Sequence, residues 1–306
     1  MSQDLAQFVG EELTRPCGVG AVTAARALAR QFDGTQAVLF YGSVLRTRDP
    51  DGVADFYVLT RHPPAGLRGV ASRALWPDVS YQEFDTAEGP MRAKVASMTI
   101  GQFERAASGA GADTTIWTRF VQPAALVWRE GAVSTARTSG AITEAVKTAA
   151  RFAAALGPRE GTARAYWEAL FHQTYAAELR FEAKGRGQTI LDFDPGRYER
   201  LLPLAWEAAG IDFDTGPDGA LSLRMKGSER HALRWSWRMR RTLGRPLNAA
   251  RLVKAAFTFE GAARYAAWKV ERHTGVALPL TPWRERHPIL AAPGALWRLW
   301  RAKRGG

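Results

Sequence analysis

The spacing of apolar residues changes partway along this chain, and the change divides it in two. Ala37-Val38-Leu39-Phe40-Tyr41 is an unbroken apolar run between the turn signal Asp33-Gly34 and Gly42, so it reads as a buried strand. Val53 to Leu59 reads as a second strand, Val79 to Phe84 as a third, Lys94 to Met98 as a fourth, and Ala124 to Trp128 as a closing one. Residues 20–31 and 101–107 carry helical spacing, and the polar stretch GSVLRTRDPDG (42–52) reads as a loop. Strands mixed with helices predict an α/β (α+β) domain with a mixed sheet. From about residue 140 the helical period takes over, in 141–156, 163–185 and 198–210, with breaks at 157–158 and 210–219. The pattern therefore predicts a sheet-containing domain over 1–135, a mostly helical domain over 136–250, and a C-terminal segment over 251–306 that ends in a basic amphipathic helix.

Composition narrows the class. The 306 residues are 46% hydrophobic and 24% charged, which is globular and long enough for about two domains. One cysteine, Cys17, excludes an internal disulfide and a Cys-rich zinc site, and it reads as a buried, inert thiol. The five histidines show no ligand spacing such as HExxH. No apolar stretch reaches the length of a bilayer span, and MSQDLAQFVGEEL carries acids where a targeting peptide needs positive charge, so a cytoplasmic protein is expected. A net charge of +12 points to an anionic partner. Eleven Trp, several interleaved with Arg in 230–246 and 294–306, suit a lipid–water interface or nucleic acid.

The chemistry sits in LFYGSVLRTRDPDGVADFYVLT. One strand ends in Gly42-Ser43, and twelve residues later the next strand delivers Asp55. This layout is that of the nucleotidyltransferase superfamily (polymerase-beta-like). Gly42 lets the backbone approach a triphosphate with no Cβ in the way, and the Ser43 hydroxyl can hold phosphate oxygens. Asp55 supplies a hard oxygen to Mg²⁺, with Mn²⁺ as its substitute. A second acid normally follows two residues later, and here that position is Tyr57. Glu83 on the third strand is the candidate second metal ligand; its alternative is a solvated strand-face acid.

Further segments, in order, resemble the phosphatidate cytidylyltransferases first known from mitochondria, the peripheral CDP-diacylglycerol synthases. Tyr41-Gly42-Ser43 and Asp55-Phe56-Tyr57 fit that family's variant of the motif, and His62-Pro63 falls at its Pro-containing turn. KVASMT (Lys94 to Thr99) resembles the family's KYGVIS, and TRFVQPA resembles GRLxKPV, matching Arg119 and Pro123. TYAAELRFE is similar to SYxGDxRM, matching Tyr175, Glu178 and Arg180. RPLNAARLVKAAFTFEG is similar to RPSS…KGIFTAG, matching Arg245, Pro246, Lys254, Phe257 and Thr258. The departures are Val44 for a glycine, Gln122 for Lys and Glu178 for Asp.

The resemblance implies transfer of CMP from CTP to phosphatidic acid at an anionic membrane surface, with the enzyme peripheral on the inner-leaflet face. It assigns nucleotide binding to Gly42, Ser43, Lys94 and Arg119, and the substrate phosphate to Tyr175, Glu178, Arg180, Arg245 and Lys254. Ceramide phosphate would present the same phosphomonoester. Nucleic acid is not expected as substrate, because Tyr57 removes the usual Asp-x-Asp, although a nucleic-acid nucleotidyltransferase would account for the basic charge. The same missing acid also suits a catalytically inactive lipid-binding relative.

Overall fold

The computed structural model describes residues 4–49, 51–177, 186–258, 261, 263–265, 267–268, 281 and 283. Two helices, α1 (Leu5–Leu13) and α2 (Val19–Gln31), precede strand β1 (Thr35–Tyr41). The predicted loop then holds a short helix, α3 (Gly42–Thr47), before β2 (Val53–Thr60). Helix α4 (Gly66–Ala74) leads to the hairpin of β3 (Asp78–Thr86) and β4 (Gly89–Thr99). Helices α5 (Ile100–Ala107) and α6 (Thr115–Phe120) then lead to β5 (Ala124–Arg129). The five strands form one mixed sheet in the order β3-β4-β2-β1-β5, in which β2 and β4 run parallel and the other neighbours antiparallel.

Both faces of the sheet are covered. Because side chains alternate along a strand, Val38, Phe40, Phe56 and Val58 pack on α2, while Leu39, Tyr41, Tyr57 and Leu59 join the apolar cluster on the other face. Helix α2 lacks a side-chain cap of its own at Gly18. The Glu88 carboxylate, from the β3–β4 turn, fills that role by accepting from the amides of Val19 (3.1 Å) and Gly20 (2.9 Å). At the start of α5, Thr99 and Gln102 bond reciprocally, which ends β4 and starts the helix.

The helical half is built on α7 (Ala132–Leu156). Its buried face repeats alanine at 141, 145, 149 and 153. Small side chains at i+4 let neighbours approach closely, and α7 packs against α1, α5, α6, α8 (Ala163–Ala177), α10 (Pro195–Ala209) and α11 (Gly227–Thr258). Helix α9 (Arg186–Phe193) lies against α8, and β6 (Glu160–Gly161), β7 (Phe213–Thr215) and β8 (Leu221–Leu223) form a small second sheet. One apolar cluster runs from Leu5 to Trp237, so the expected boundary at 135/136 has a shared core across it.

Charged side chains fasten these layers. Arg197 on α10 grips the Glu12 carboxylate of α1 with two bonds of 2.6 and 2.7 Å and donates to the Val121 carbonyl at 3.0 Å. Arg230 and Arg234 on α11 donate to the Gly157 and Ala155 carbonyls (2.6 and 2.8 Å), capping the C-terminus of α7 with positive charge. At the far end of α11, Arg251 pairs with Asp113 (2.7 Å) and Lys254 with Asp78 (2.5 Å). Among the described residues no helix is long and apolar enough to cross a membrane.

Removing one member of a buried ion pair strands the other. Arg197→Met is therefore expected to lower stability by about 3–5 kcal/mol in urea unfolding, and pairing it with Glu12→Leu is expected to recover most of that loss.

Candidate functional site

The site follows from one register. In the β1–β2 pair Tyr41 stands opposite Asp55, so the residue after Tyr41 is held against the Asp55 carboxylate. That residue is Gly42, with φ +88°, a conformation L side chains rarely adopt. A Cβ built at Gly42 would sit 2.4 Å from Asp55 Oδ2. Glycine is needed here twice over, for the turn from β1 into α3 and for the contact with Asp55. Ser43 follows on the first turn of α3 and is half-buried.

Asp55, Tyr57 and Tyr41 share the sheet face opposite to α2, by the same alternation that puts Phe56 on the α2 side. On the next strand Lys94 is the register partner of Asp55, and Tyr81 is the partner of Lys94 on β3. Tyr57, at the position where a second acid was sought in the sequence, is fully buried, and its hydroxyl accepts from Arg119 Nη1 at 3.3 Å. Burial raises the Tyr57 pKa while the Arg119 charge opposes the rise, so the phenol stays neutral near pH 7. The Arg119 guanidinium lies 5.4 Å from the Tyr41 ring and 5.8 Å from the Tyr57 ring. The two aromatic residues flanking Asp55 on its own face thus brace Arg119.

Sequence reasoning missed Arg46. It lies on α3, three residues after Ser43, and donates to Gln122 Oε1 at 3.3 Å. It therefore brings a positive charge beside Gln122. Its signal was the i, i+3 spacing from Ser43, which the reading of 42–52 as a loop concealed.

The remaining candidates are dispersed. Glu83 is exposed on β3, faces Arg92 in register and accepts from the Tyr81 hydroxyl at 2.9 Å. With β4 between β2 and β3, its backbone is about 10 Å or more from that of Asp55, so the fold does not bring these two acids together. Lys254 donates to the Leu75 carbonyl (2.5 Å) as well as pairing with Asp78, and so ties α11 to the β3 side of the sheet. Tyr175 lies on α8 and Arg245 on α11. Glu178 and Arg180 lie outside the described residues, as does the tail 296–304. Among the described residues no group of three or more His, Cys, Asp or Glu could hold a metal. A divalent cation here would take one protein carboxylate, Asp55, and complete its shell from phosphates and water, which is a usual arrangement for Mg²⁺.

A cleft of about 550 Å³ opens on the other side of α3, lined by Cys17, Phe40, Val44, Arg48, Glu88 and Met91 among others. Gly42, Ser43 and Asp55 do not line it. Burial raises the Cys17 pKa, against the opposing charges of Arg15 and Arg48.

No family model matches the chain, and no curated protein matches it. Among solved structures, it overlaps a nucleotidyltransferase-like protein from Exiguobacterium sibiricum 255-15 at 13% identity and a TM-score of 0.28, over 92% of this chain and 89% of that one.

Two outcomes are expected from this geometry. Gly42→Ala should lower the melting temperature through steric conflict with Asp55, whereas Gly140→Ala, exposed in mid-α7 with nothing within 4 Å of the added methyl, should raise stability by about 0.5–1 kcal/mol. Cys17 should react with a thiol reagent at pH 8 more slowly than a free cysteine, because its raised pKa leaves less thiolate; titration with a chromogenic disulfide measures this.

Proposed function

We propose that this chain is a nucleotidyltransferase, and specifically one that moves CMP from CTP to a lipid phosphomonoester, phosphatidic acid, releasing pyrophosphate and forming CDP-diacylglycerol. The observation that carries the reading is the contact between the Gly42 backbone and the Asp55 carboxylate at the mouth of β1 and β2. With no Cβ at Gly42 the chain turns directly against the Asp55 carboxylate, so that backbone and acid meet where a phosphate chain and its cation would bind. The lipid acceptor is supported by the ordered matches between residues 39 and 261 to the phosphatidate cytidylyltransferases.

In the reaction an oxygen of the acceptor phosphate attacks the α-phosphorus of CTP. The bond to the α–β bridging oxygen breaks, and pyrophosphate leaves with the electron pair. Positioning and charge neutralisation do most of the work in such a transfer. Ser43 and the Gly42 backbone receive the triphosphate, and Arg46 and Arg119 neutralise it from α3 and α6. Arg119 is pre-positioned, since Tyr41 and Tyr57 fix its guanidinium before any ligand arrives. Lys94 stands at the strand next to Asp55 and meets a phosphate as a point charge. Mg²⁺, when bound at Asp55, supplies further charge neutralisation on the phosphates.

A second reading has its own observation. Tyr57 and Lys94 occupy the positions beside Asp55 where further acids would strengthen metal binding, which favours a relative that binds CTP or lipid phosphate without turnover.

The test is incubation of purified protein with labelled CTP, Mg²⁺ and phosphatidic acid vesicles. Labelled CDP-lipid and pyrophosphate are expected, with Asp55→Asn lowering turnover at least 100-fold while circular dichroism stays unchanged. Full activity in Asp55→Asn removes that residue from the site. Nucleotide binding without product, across phosphatidic acid and ceramide phosphate alike, selects the inactive relative. Extension of an RNA or DNA primer selects the nucleic-acid enzyme.

A further inference from the structure

Helix α11 divides its circumference into three sectors. Trp237 is buried at 3% exposure against Trp117 and Phe152, while Trp235, two residues earlier, is 59% exposed. The Trp–Arg interleaving of 230–246 thus resolves into one tryptophan in the core and one at the surface. At about 100° per residue, the exposed side chains Trp235, Met239, Leu243 and Val253 fall within an arc of about 80°. The exposed Arg238 and Arg241 lie on one flank of that arc. This is an apolar stripe bordered by cations, on a helix whose opposite side is fixed to the core by Trp237 and Arg251.

We propose that this stripe docks on an anionic lipid bilayer, with Trp235, Met239 and Leu243 at the headgroup boundary and Arg238 and Arg241 against lipid phosphates. Trp and long apolar side chains favour that boundary, and each basic residue near it adds attraction to anionic lipid. Pairing with a second copy through the same stripe would set Arg238 and Arg241 against like charge. An anionic surface has the complementary sign.

The position of the helix matches this use. The C-terminal turn of α11 is tied through Lys254 to Asp78 on β3, and Tyr265 beyond it packs on Tyr81, the register partner of Lys94. The same helix that carries the stripe is thus joined at its far end to the strands next to Asp55. The inference deepens the lipid-phosphate reading and rests on it for its biological sense, but its test reads binding rather than turnover.

The experiment compares the full chain with Trp235→Ser/Met239→Ser/Leu243→Ser and with Arg238→Glu/Arg241→Glu in co-sedimentation. The vesicles are phosphatidylcholine alone or phosphatidylcholine with 30% phosphatidylglycerol, where the percentage is roughly that needed for a marked surface charge. The native chain is expected to pellet with the anionic vesicles and to be released by salt. Each variant is expected to lose affinity by about tenfold or more while keeping its melting temperature. Activity on a water-soluble short-chain lipid phosphate should persist in both variants, which separates a docking defect from a failure of the proposed reaction. Undiminished vesicle binding by the serine variant overturns the proposal. So does a dimer in sedimentation velocity that the serine variant abolishes, or RNA binding that only the stripe variants lose.

Discussion

The contact between the Gly42 backbone and the Asp55 carboxylate depends on a register, and much of the molecule serves to hold it. A one-residue slip of β2 against β1 would turn Asp55 into the Phe40 and Val58 side of the sheet and bring Tyr57 out of its aromatic setting. Burial on both faces forbids the slip. Phe40 stacks on Phe56 at 5.0 Å on one side, and Tyr41, Tyr57 and Phe120 meet edge and face on the other. The corner is thus specified by the packing of the two faces more than by its own polar groups.

The basic residues divide by environment. Arg197, Arg251 and Lys254 are buried beside acids and join elements far apart in sequence. Arg230 and Arg234 meet the carbonyl end of α7. Arg119 is braced by rings beside Asp55, and Arg238 and Arg241 face outward. The count of 42 Lys and Arg therefore overstates how many are available to a partner, because several of these side chains already answer carboxylates or carbonyls.

The five strands of the main sheet were legible in the sequence as existing elements, but not all their limits: β4 starts at Gly89, five residues before the expected Lys94, because Gly-Pro-Met-Arg-Ala carries no strand signal of its own. Helices α7, α8 and α10 were legible through their period, whereas α11, the longest, was not, because its Trp and Arg alternate too closely and Pro246 interrupts it. Helix α3 was hidden, since six residues beginning Gly-Ser and running into Arg and Asp carry no period. Helix α4, GLRGVASRA, has the same problem, and α6 is too short and too buried to show a polar face. Gly42, Ser43 and Asp55 could be named from spacing alone, but the partners that place Arg119 could not, because Tyr41 and Tyr57 read as ordinary strand residues. Lys254 matched a motif and was assigned to a phosphate, and its pairing with Asp78 depends on a contact across 176 positions that no local pattern records.

Glu88 closes off one route that a phosphate-bearing molecule could otherwise take. The start of α2, Gly18-Val19-Gly20, has the open backbone and positive helix end that attract anions, and a methyl at Gly20 would come within 2.9 Å of Glu88 Oε2. An acid from the β3–β4 turn already sits there as an internal counter-anion. The positive end of α2 is thereby answered from within the fold, and this helix start keeps no open amide pair at Val19 and Gly20 for an outside anion.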